Sequence, residues 1–401
     1  MSLVNNSISE RLQQLTSAGF TAFVNANEAA NVNQLLLGKA PDGIDLKLAA
    51  DQILSRRKAK DKLPTWHQTN GLILPPPLSI EQSSSERTAE YKRSILKGKH
   101  LVDLTGGMGV DLLTLSSQFD KATHVEMDEW LSVVFRHNAK VLTEKPIETF
   151  NQKAEDYLKT FDGKATFFID PARRDSHKKK VFLFEDCSPN VIELMPQFRA
   201  KAKQVLIKAA PMIDITLGIK QLSFVKEVHV VSLNNECKEI LFLLDFGFTE
   251  QATIHCINLK SDTEELLSFD LSGEKDTEVN YTSPQSYIYE PNASIRKAGA
   301  FRSVAASFGL SKIAPNTHLY TSEELINNFP GRIFKTLGGV DKKNIKVHFP
   351  EGKANVISKN YPLTPEQIKK KFKLKDGGER FLIAFRNEKN GTDLLSCLKI
   401  D

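Results

Sequence analysis

Cysteine is scarce in this sequence: Cys187, Cys237, Cys256 and Cys397 lie far apart, with no CxxC pair among them. That argues against a disulfide framework and against a cysteine-built zinc site, and it suits a reduced, cytosolic protein. Long apolar runs are also missing. No stretch approaches the roughly 18 uncharged apolar residues a membrane span needs, and the polar, amphipathic opening MSLVNNSISERLQQL has no apolar core of a secretion signal. A cytosolic protein without membrane attachment is the expectation. His124, His137 and His177 show no metal-ligand spacing and no Ser-His-Asp constellation stands out, so no metal is expected.

What is present is ordinary globular composition, 40% apolar and 26% charged over 401 residues, enough for two or three domains. The net charge is only +5, but it is unevenly placed. From Gly331 to Asp401 there are 16 Lys and Arg against 8 Asp and Glu, an excess larger than that of the whole chain. This tail fits a polyanionic partner and fits equally a lysine-rich solvated face.

Residues 1 to about 60 repeat apolar positions at three and four, as in ISERLQQLTSAGF and DLKLAADQILSRRKAK, which predicts helices. The prolines of LILPPPLS end that pattern. From Leu101 short apolar runs alternate with helical stretches: HLVDLTG, ATHVEMD, ATFFIDP, AKQVLIKAAP, EVHVVSLN and EILFLLD. Such repetition predicts an α/β fold around a parallel sheet. The short NNEC turn predicts an antiparallel last pair at one sheet edge. The polar stretch TEELLSFDLSGEKDTEVNYTSPQ reads as a separator before two small α+β units. In the first of these, NASIRKAGAFRSVAASFG reads as one helix; in the second, NIKVHF reads as a strand.

Three strand ends carry chemistry. HLVDLTGGMGVD ends a strand at Asp103 and turns through Gly106, Gly107 and Gly109, where glycine lets the backbone approach a ligand. Its spacing is not G-x-G-x-x-G, and alone it is equally a tight strand-to-helix loop. The next strand ends in VEMD, with Glu126 where a ribose-binding carboxylate belongs. The fourth ends in FIDPARRD.

Asp103-Leu-Thr-Gly-Gly-Met-Gly109, Glu126 and Asp170-Pro-Ala-Arg173 together resemble the class I S-adenosylmethionine-dependent methyltransferases, in particular the branch that modifies RNA and DNA. YEPNASIRKAG, FPGRIF and KANVISKNYPLT resemble the bacterial methyltransferases that carry a ferredoxin-like domain and a THUMP-like tail. The resemblance implies a Rossmann-like doubly wound sheet with an antiparallel edge strand in a catalytic domain at 79–250. It further implies a helical region at 1–78, a ferredoxin-like domain at 251–330 and a THUMP-like domain at 331–401.

It also implies roles for particular residues. Asp103, Thr105, Gly106, Gly107 and Gly109 would hold the methionine end of S-adenosylmethionine, and Glu126, with Met127 beside it, the ribose. Ala154 and Glu155 would lie at the adenine, where Lys153 replaces the usual acidic residue. Gln82, Ser84 and Ser85 would close over the cofactor, although EQSSSERTA is equally a helix-capping box.

In enzymes that methylate an exocyclic amine, the fourth-strand motif is Asp or Asn, Pro, Pro, then an aromatic; its oxygens orient the amine and the aromatic stacks on the base. Asp170 and Pro171 match that pattern; Ala172 and Arg173 depart from it, and Arg173 would either stack on the base or, with Arg174, grip a phosphate. Asp-Pro-Ala-Arg also resembles uridine-C5 methyltransferases, but the segment VLIKAAPMID lacks the cysteine nucleophile that chemistry needs. Arg173, Arg174, Lys178, Lys179 and Lys180, local to the proposed site, favour contacts to tRNA or rRNA over a solvated loop, and Lys369, Lys370 and Lys371 in the tail are further candidate contacts or equally a charged outer face.

Overall fold

A computed structural model describes residues 8–173 and 183–400. The chain forms two compact units, one of Met1–Val225 with Leu241–Thr249 and the other of Lys226–Ile240 with Glu250–Asp401.

The first unit opens with the helices Ile8–Thr16, Ala18–Ala26, Val32–Leu37 and Leu46–Lys62. Asp45 starts the longest of them by accepting the Lys47 and Leu48 N–H groups at 2.8 and 3.1 Å, satisfying donors that a helix start leaves free. Its buried Ala49 and Ile53 pack with Phe20, Val24, Ile73 and Val134. After the prolines come the helices Pro77–Gln82 and Glu86–Ile95. The strands that follow are β1 (Gly98–Asp103), β2 (Phe119–Glu126), β3 (Ile147–Asn151), β4 (Ala165–Ile169), β5 (Ala172–Arg173), β6 (Cys187–Ser188), β7 (Ala202–Ala209), β8 (Val225–Leu233) and β9 (Glu236–Leu244).

Strands β7, β4, β1, β2 and β3 lie side by side in that order, every neighbouring pair parallel. All five residues of β4 are buried, including Phe167 and Phe168, which is why ATFFI reads as an unbroken apolar run rather than an alternating one. Burying each phenylalanine stabilises the fold by roughly 1.5–3 kcal/mol. The chain runs outward from β1 through β2 to β3, then returns to β4 on the other side of β1. The gap between β1 and β4 is therefore the point where strand order reverses, and ligands of open α/β sheets bind at the carboxyl ends there.

In the second unit, β8 is joined to β9 by Asn234 and Asn235, both at positive φ as a two-residue hairpin turn requires. The hairpin is not an edge pair. Strand β10 (Thr253–Leu259) pairs parallel with β8, and β11 (Glu264–Asp270) pairs antiparallel with β10 as the edge strand. Much of the expected polar separator is thus folded: EELLSFD buries Leu267 and Phe269 while Glu264, Leu266, Ser268 and Asp270 face outward.

A seven-stranded sheet follows, built from β12 (Tyr287–Pro291), β13 (Ser311–Lys312), β14 (Tyr320–Ser322), β15 (Gly331–Gly339), β16 (Asn355–Lys359), β17 (Arg380–Arg386) and β18 (Thr392–Ile400). Its order is β13-β14-β12-β15-β18-β17-β16, with a core that includes Ile288, Phe334, Ile383 and Phe385. The single helix expected over 292–309 is two, Ala293–Ala298 and Ser303–Ser307, because Gly299 takes a left-handed φ of 76° and ends the first. NIKVHF is not a strand: Ile345–His348 is a short helix. Among the described residues, no helix is long and apolar enough to cross a membrane.

Candidate active site

At the carboxyl ends of β1 and β4 lies a cavity of about 180 Å³. Gln82, Ser84, Asp103, Thr105, Gly106, Gly107, Gly109 and Asp170 line it, together with Asp111, Phe168 and Lys208. Ser85, Glu126, Met127, Ala154 and Glu155 do not.

The glycine turn is held from three sides. The Gly106 N–H donates to the Val125 carbonyl at 2.9 Å, the Gly107 N–H to Glu126 Oε2 at 2.7 Å, and the Thr105 N–H to Asp103 Oδ1 at 3.0 Å. Glu126 Oε1 also accepts the Asp128 N–H at 2.8 Å, so both its oxygens brace backbone and each keeps capacity for a further donor. Below the turn, the rings of His124 and Phe135 stack at 3.7 Å, nearly parallel. A Cβ on Gly106 would come within 2.3 Å of His124, and one on Gly109, whose φ is 88°, within 2.3 Å of Phe135. The glycines are therefore required by the rings beneath as well as by the turn. Burial lowers the pKa of His124 to about 3, so this ring is neutral packing.

Opposite the turn is a charged network not expected from the sequence. Asp111 is buried, accepts the Ser84 hydroxyl at 2.7 Å, and lies 3.1 Å from the Lys92 ammonium, which is itself fully buried and 3.1 Å from Ser84 Oγ. Burial alone would raise the pKa of Asp111, but Lys92, Lys208 and Ser84 lower it. Lys208, on β7, donates to Asp170 Oδ2 and lies 4.0 Å from Asp111. The Asp170 N–H donates to Thr105 Oγ1 at 2.7 Å, tying the end of β4 to the loop after β1. The signal in the sequence was a lysine inside the apolar run VLIKAA, since a charge in a buried strand is rare unless paired.

Asp103 stands apart from these ammonium groups. It is buried and its pKa is raised well above the usual carboxylate range, first by desolvation and further by Asp111, Asp170 and Glu126, against the Thr105 N–H. Burial likewise raises Glu126. Such a set of carboxylates favours a cationic ligand, and S-adenosylmethionine carries both a sulfonium and an ammonium. The donor set and the open backbone turn fit that cofactor.

The remaining expected residues divide. Ser84 gives its hydroxyl to Asp111, whereas Ser85 caps the helix Glu86–Ile95 in a reciprocal capping box with Thr88. Ala154 is buried at the start of the helix Ala154–Thr160, and Met127 is exposed. Pro171 is buried and Ala172 exposed; β5 pairs antiparallel with β6. Arg174, Lys178, Lys179 and Lys180 lie outside the described residues, as does the side chain of Arg173. In the tail helix Pro365–Phe372, Lys370 and Lys371 are exposed, while Lys369 pairs with Asp376 at 2.7 Å.

Comparison with known proteins places this site in a family. Residues 287–330 match a ferredoxin-like domain family and residues 331–399 a THUMP domain-like family. The chain is 31% identical to a crystal structure described as a "putative methyltransferase" from Porphyromonas gingivalis, covering 96% of this chain and 98% of that one with a TM-score of 0.85. A Mycobacterium tuberculosis protein described as an "uncharacterized S-adenosylmethionine-dependent methyltransferase" is 22% identical, covering 74% of this chain and 80% of its own length. The chain belongs to the class I S-adenosylmethionine-dependent methyltransferases that carry a THUMP-like domain. Its cofactor is S-adenosyl-L-methionine.

Proposed function

We propose that this chain is a cytosolic RNA methyltransferase that modifies a base nitrogen of tRNA or rRNA, an exocyclic amine such as guanine N2. The observation that carries this reading is Asp170, followed by Pro171, in the lining of the cavity with its side chain 38% exposed, in a chain that also bears a THUMP domain-like module. The cofactor supplies a methyl group already activated on a sulfonium, so the protein's part is positioning.

In this reading the Asp103 carboxylate and the Thr105–Gly109 backbone hold the cofactor's methionine end, and Glu126 the ribose. Met127, Ala154 and Glu155 flank the adenosine, and Gln82 and Ser84 cover it. Lys208 fixes Asp170 through Oδ2, and the carboxylate's remaining acceptor positions take an N–H of the amine, turning its lone pair toward the methyl group. As the N–C bond forms, the methyl group's bond to sulfur would break with its electron pair left on sulfur, and the amine's proton leaves along that hydrogen bond and passes to water. Pro171 fixes the backbone after Asp170. Ala172 leaves open the place an aromatic would fill, and Arg173 stacks on the base or grips phosphate. Arg174, Lys178, Lys179, Lys180, Lys369, Lys370 and Lys371 are the proposed contacts to the RNA backbone, with domain limits near 78, 250 and 330.

The test is nucleoside mass spectrometry on tRNA and rRNA from cells with and without this protein. One N-methylated purine missing without the protein supports the reading. Identical nucleoside profiles together with a methylated protein or small molecule overturn it.

A further inference from the structure

We infer that Glu227, His229 and His255 form a binding site for a divalent first-row transition metal, with zinc the natural probe. The three residues come from the second unit, Glu227 and His229 from β8 and His255 from β10. Residues two apart on a strand share a face, and His229 is paired with His255 in the parallel register, so all three side chains emerge on one side of the sheet.

Their ligand atoms converge: the possible donors all lie within 4.8 Å of one another. His229 Nε2 is 3.3 Å from Glu227 Oε2, and His255 Nε2 is 4.0 Å from the same oxygen. Nitrogen and oxygen ligands at about 2.0–2.2 Å from a tetrahedral zinc stand roughly 3.3–3.5 Å apart. The first distance already matches, and the second needs a shift of about half an ångström, within reach of a ring rotation. The two imidazoles stack at 4.8 Å between centroids.

The surroundings orient these ligands. His255 Nδ1 bonds Ser268 Oγ on β11 at 2.8 Å, which leaves Nε2 as the nitrogen turned toward Glu227 and His229. Lys226 takes the other carboxylate oxygen of Glu227, Oε1, at 3.2 Å, so Oε2 faces the histidines. The cluster is reachable: Glu227 and His255 each keep 24% of their side-chain surface open, and Ser268 is exposed. Two imidazoles and one carboxylate leave a fourth tetrahedral position for water. A metal here would clasp β8 to β10. Histidine spacing along the chain does not reveal it, because Glu227 and His255 are 28 residues apart and meet only through strand pairing.

The experiment uses the untagged full-length protein, stripped with chelator and titrated with zinc by calorimetry, then with cobalt followed by absorption spectroscopy. Saturable binding of one equivalent of zinc is expected, with the intense visible bands of four-coordinate cobalt and a rise in Tm on adding zinc. His229→Ala and His255→Ala should each abolish all three signals. Ser268→Ala, which only loosens a ring, should weaken binding about 10-fold. Because removing a buried histidine can itself lower stability, each variant's zinc-dependent Tm shift is read against its own metal-free melting curve. No saturable binding by the wild type, or binding unchanged in both histidine variants, would overturn the inference.

Discussion

The ammonium of Lys208, on β7, donates to Oδ2 of Asp170, just past the end of β4. Two neighbouring parallel strands thus deliver opposite charges to one point in the lining of the candidate cavity. The side-chain surfaces are unequal, Lys208 11% exposed and Asp170 38%, so the lysine is the fixed member and the carboxylate the one presented outward.

On the role proposed for Asp170, Lys208 acts as its positioning residue. Lys208→Met should lower kcat by about 100-fold, the scale of an ångström-sized misplacement. Lys208→Arg should recover part of it. If both variants lost activity only through KM for the cofactor, Lys208 would serve cofactor binding instead.

Gly106 and His124 should be coupled. Gly106→Ala places a methyl against the His124 ring and should cost about 1–3 kcal/mol as overpacking. In a His124→Ala background the same change should cost less, a coupling of about 0.5–3 kcal/mol in a double-mutant cycle from denaturant unfolding. Strict additivity would mean that the turn, not the ring, sets the requirement.

Asp103 should give the cofactor-free protein a characteristic pH dependence. Its folded pKa is raised above the unfolded value, so the folded state binds the extra proton between the two. Stability therefore falls as pH rises from the unfolded pKa through the folded one, and Asp103→Asn should flatten that slope and stabilise the apoprotein. Cofactor affinity should move the opposite way, rising as Asp103 ionises and dropping in the variant. Calorimetric melts and cofactor titrations across acidic to neutral pH read both trends.

Much of this site was legible in the sequence because strand ends have fixed places. In an alternating α/β chain, Asp103, Glu126 and Asp170 must arrive at the same sheet edge, and glycines there mark a backbone turn. Lys92 was not legible and Lys208 only as a charge inside an apolar run, since nothing local says that lysines 116 residues apart meet Asp111. The edge strand β11 was obscured by its own surface, EELLSFD reading as polar because every second residue faces water. The break at Gly299 is a left-handed cap that one glycine in a helical pattern does not announce.

The YEP, PGRIF and ISKN stretches acquire a shared physical role in the second unit. Glu290, buried to 2% of its side chain, is surrounded by Arg296 at 3.2 Å, Arg332 and Lys359. Burial opposes its ionisation, yet Lys359, Arg332 and Arg296 together lower its pKa. Glu290→Gln should destabilise the protein by about 3 kcal/mol, the low end for a broken buried pair, because the remaining cations are partly exposed and can turn to water. The contribution of Glu290 is present above the unfolded carboxylate pKa and is lost as pH falls through its lowered folded value, so the gap between variant and wild type should close in acid.

The most direct test of the account is transfer of tritiated methyl from S-adenosylmethionine to total RNA from cells lacking this protein, comparing wild type with Asp170→Ala. Cofactor binding is measured on both proteins in parallel. Label in an N-methylated purine is expected with the wild type, and a loss of about 100-fold or more in the variant while cofactor binding persists. Equal labelling by the two proteins would contradict the role of Asp170, and unlabelled RNA from a wild type that binds the cofactor would contradict RNA as the acceptor.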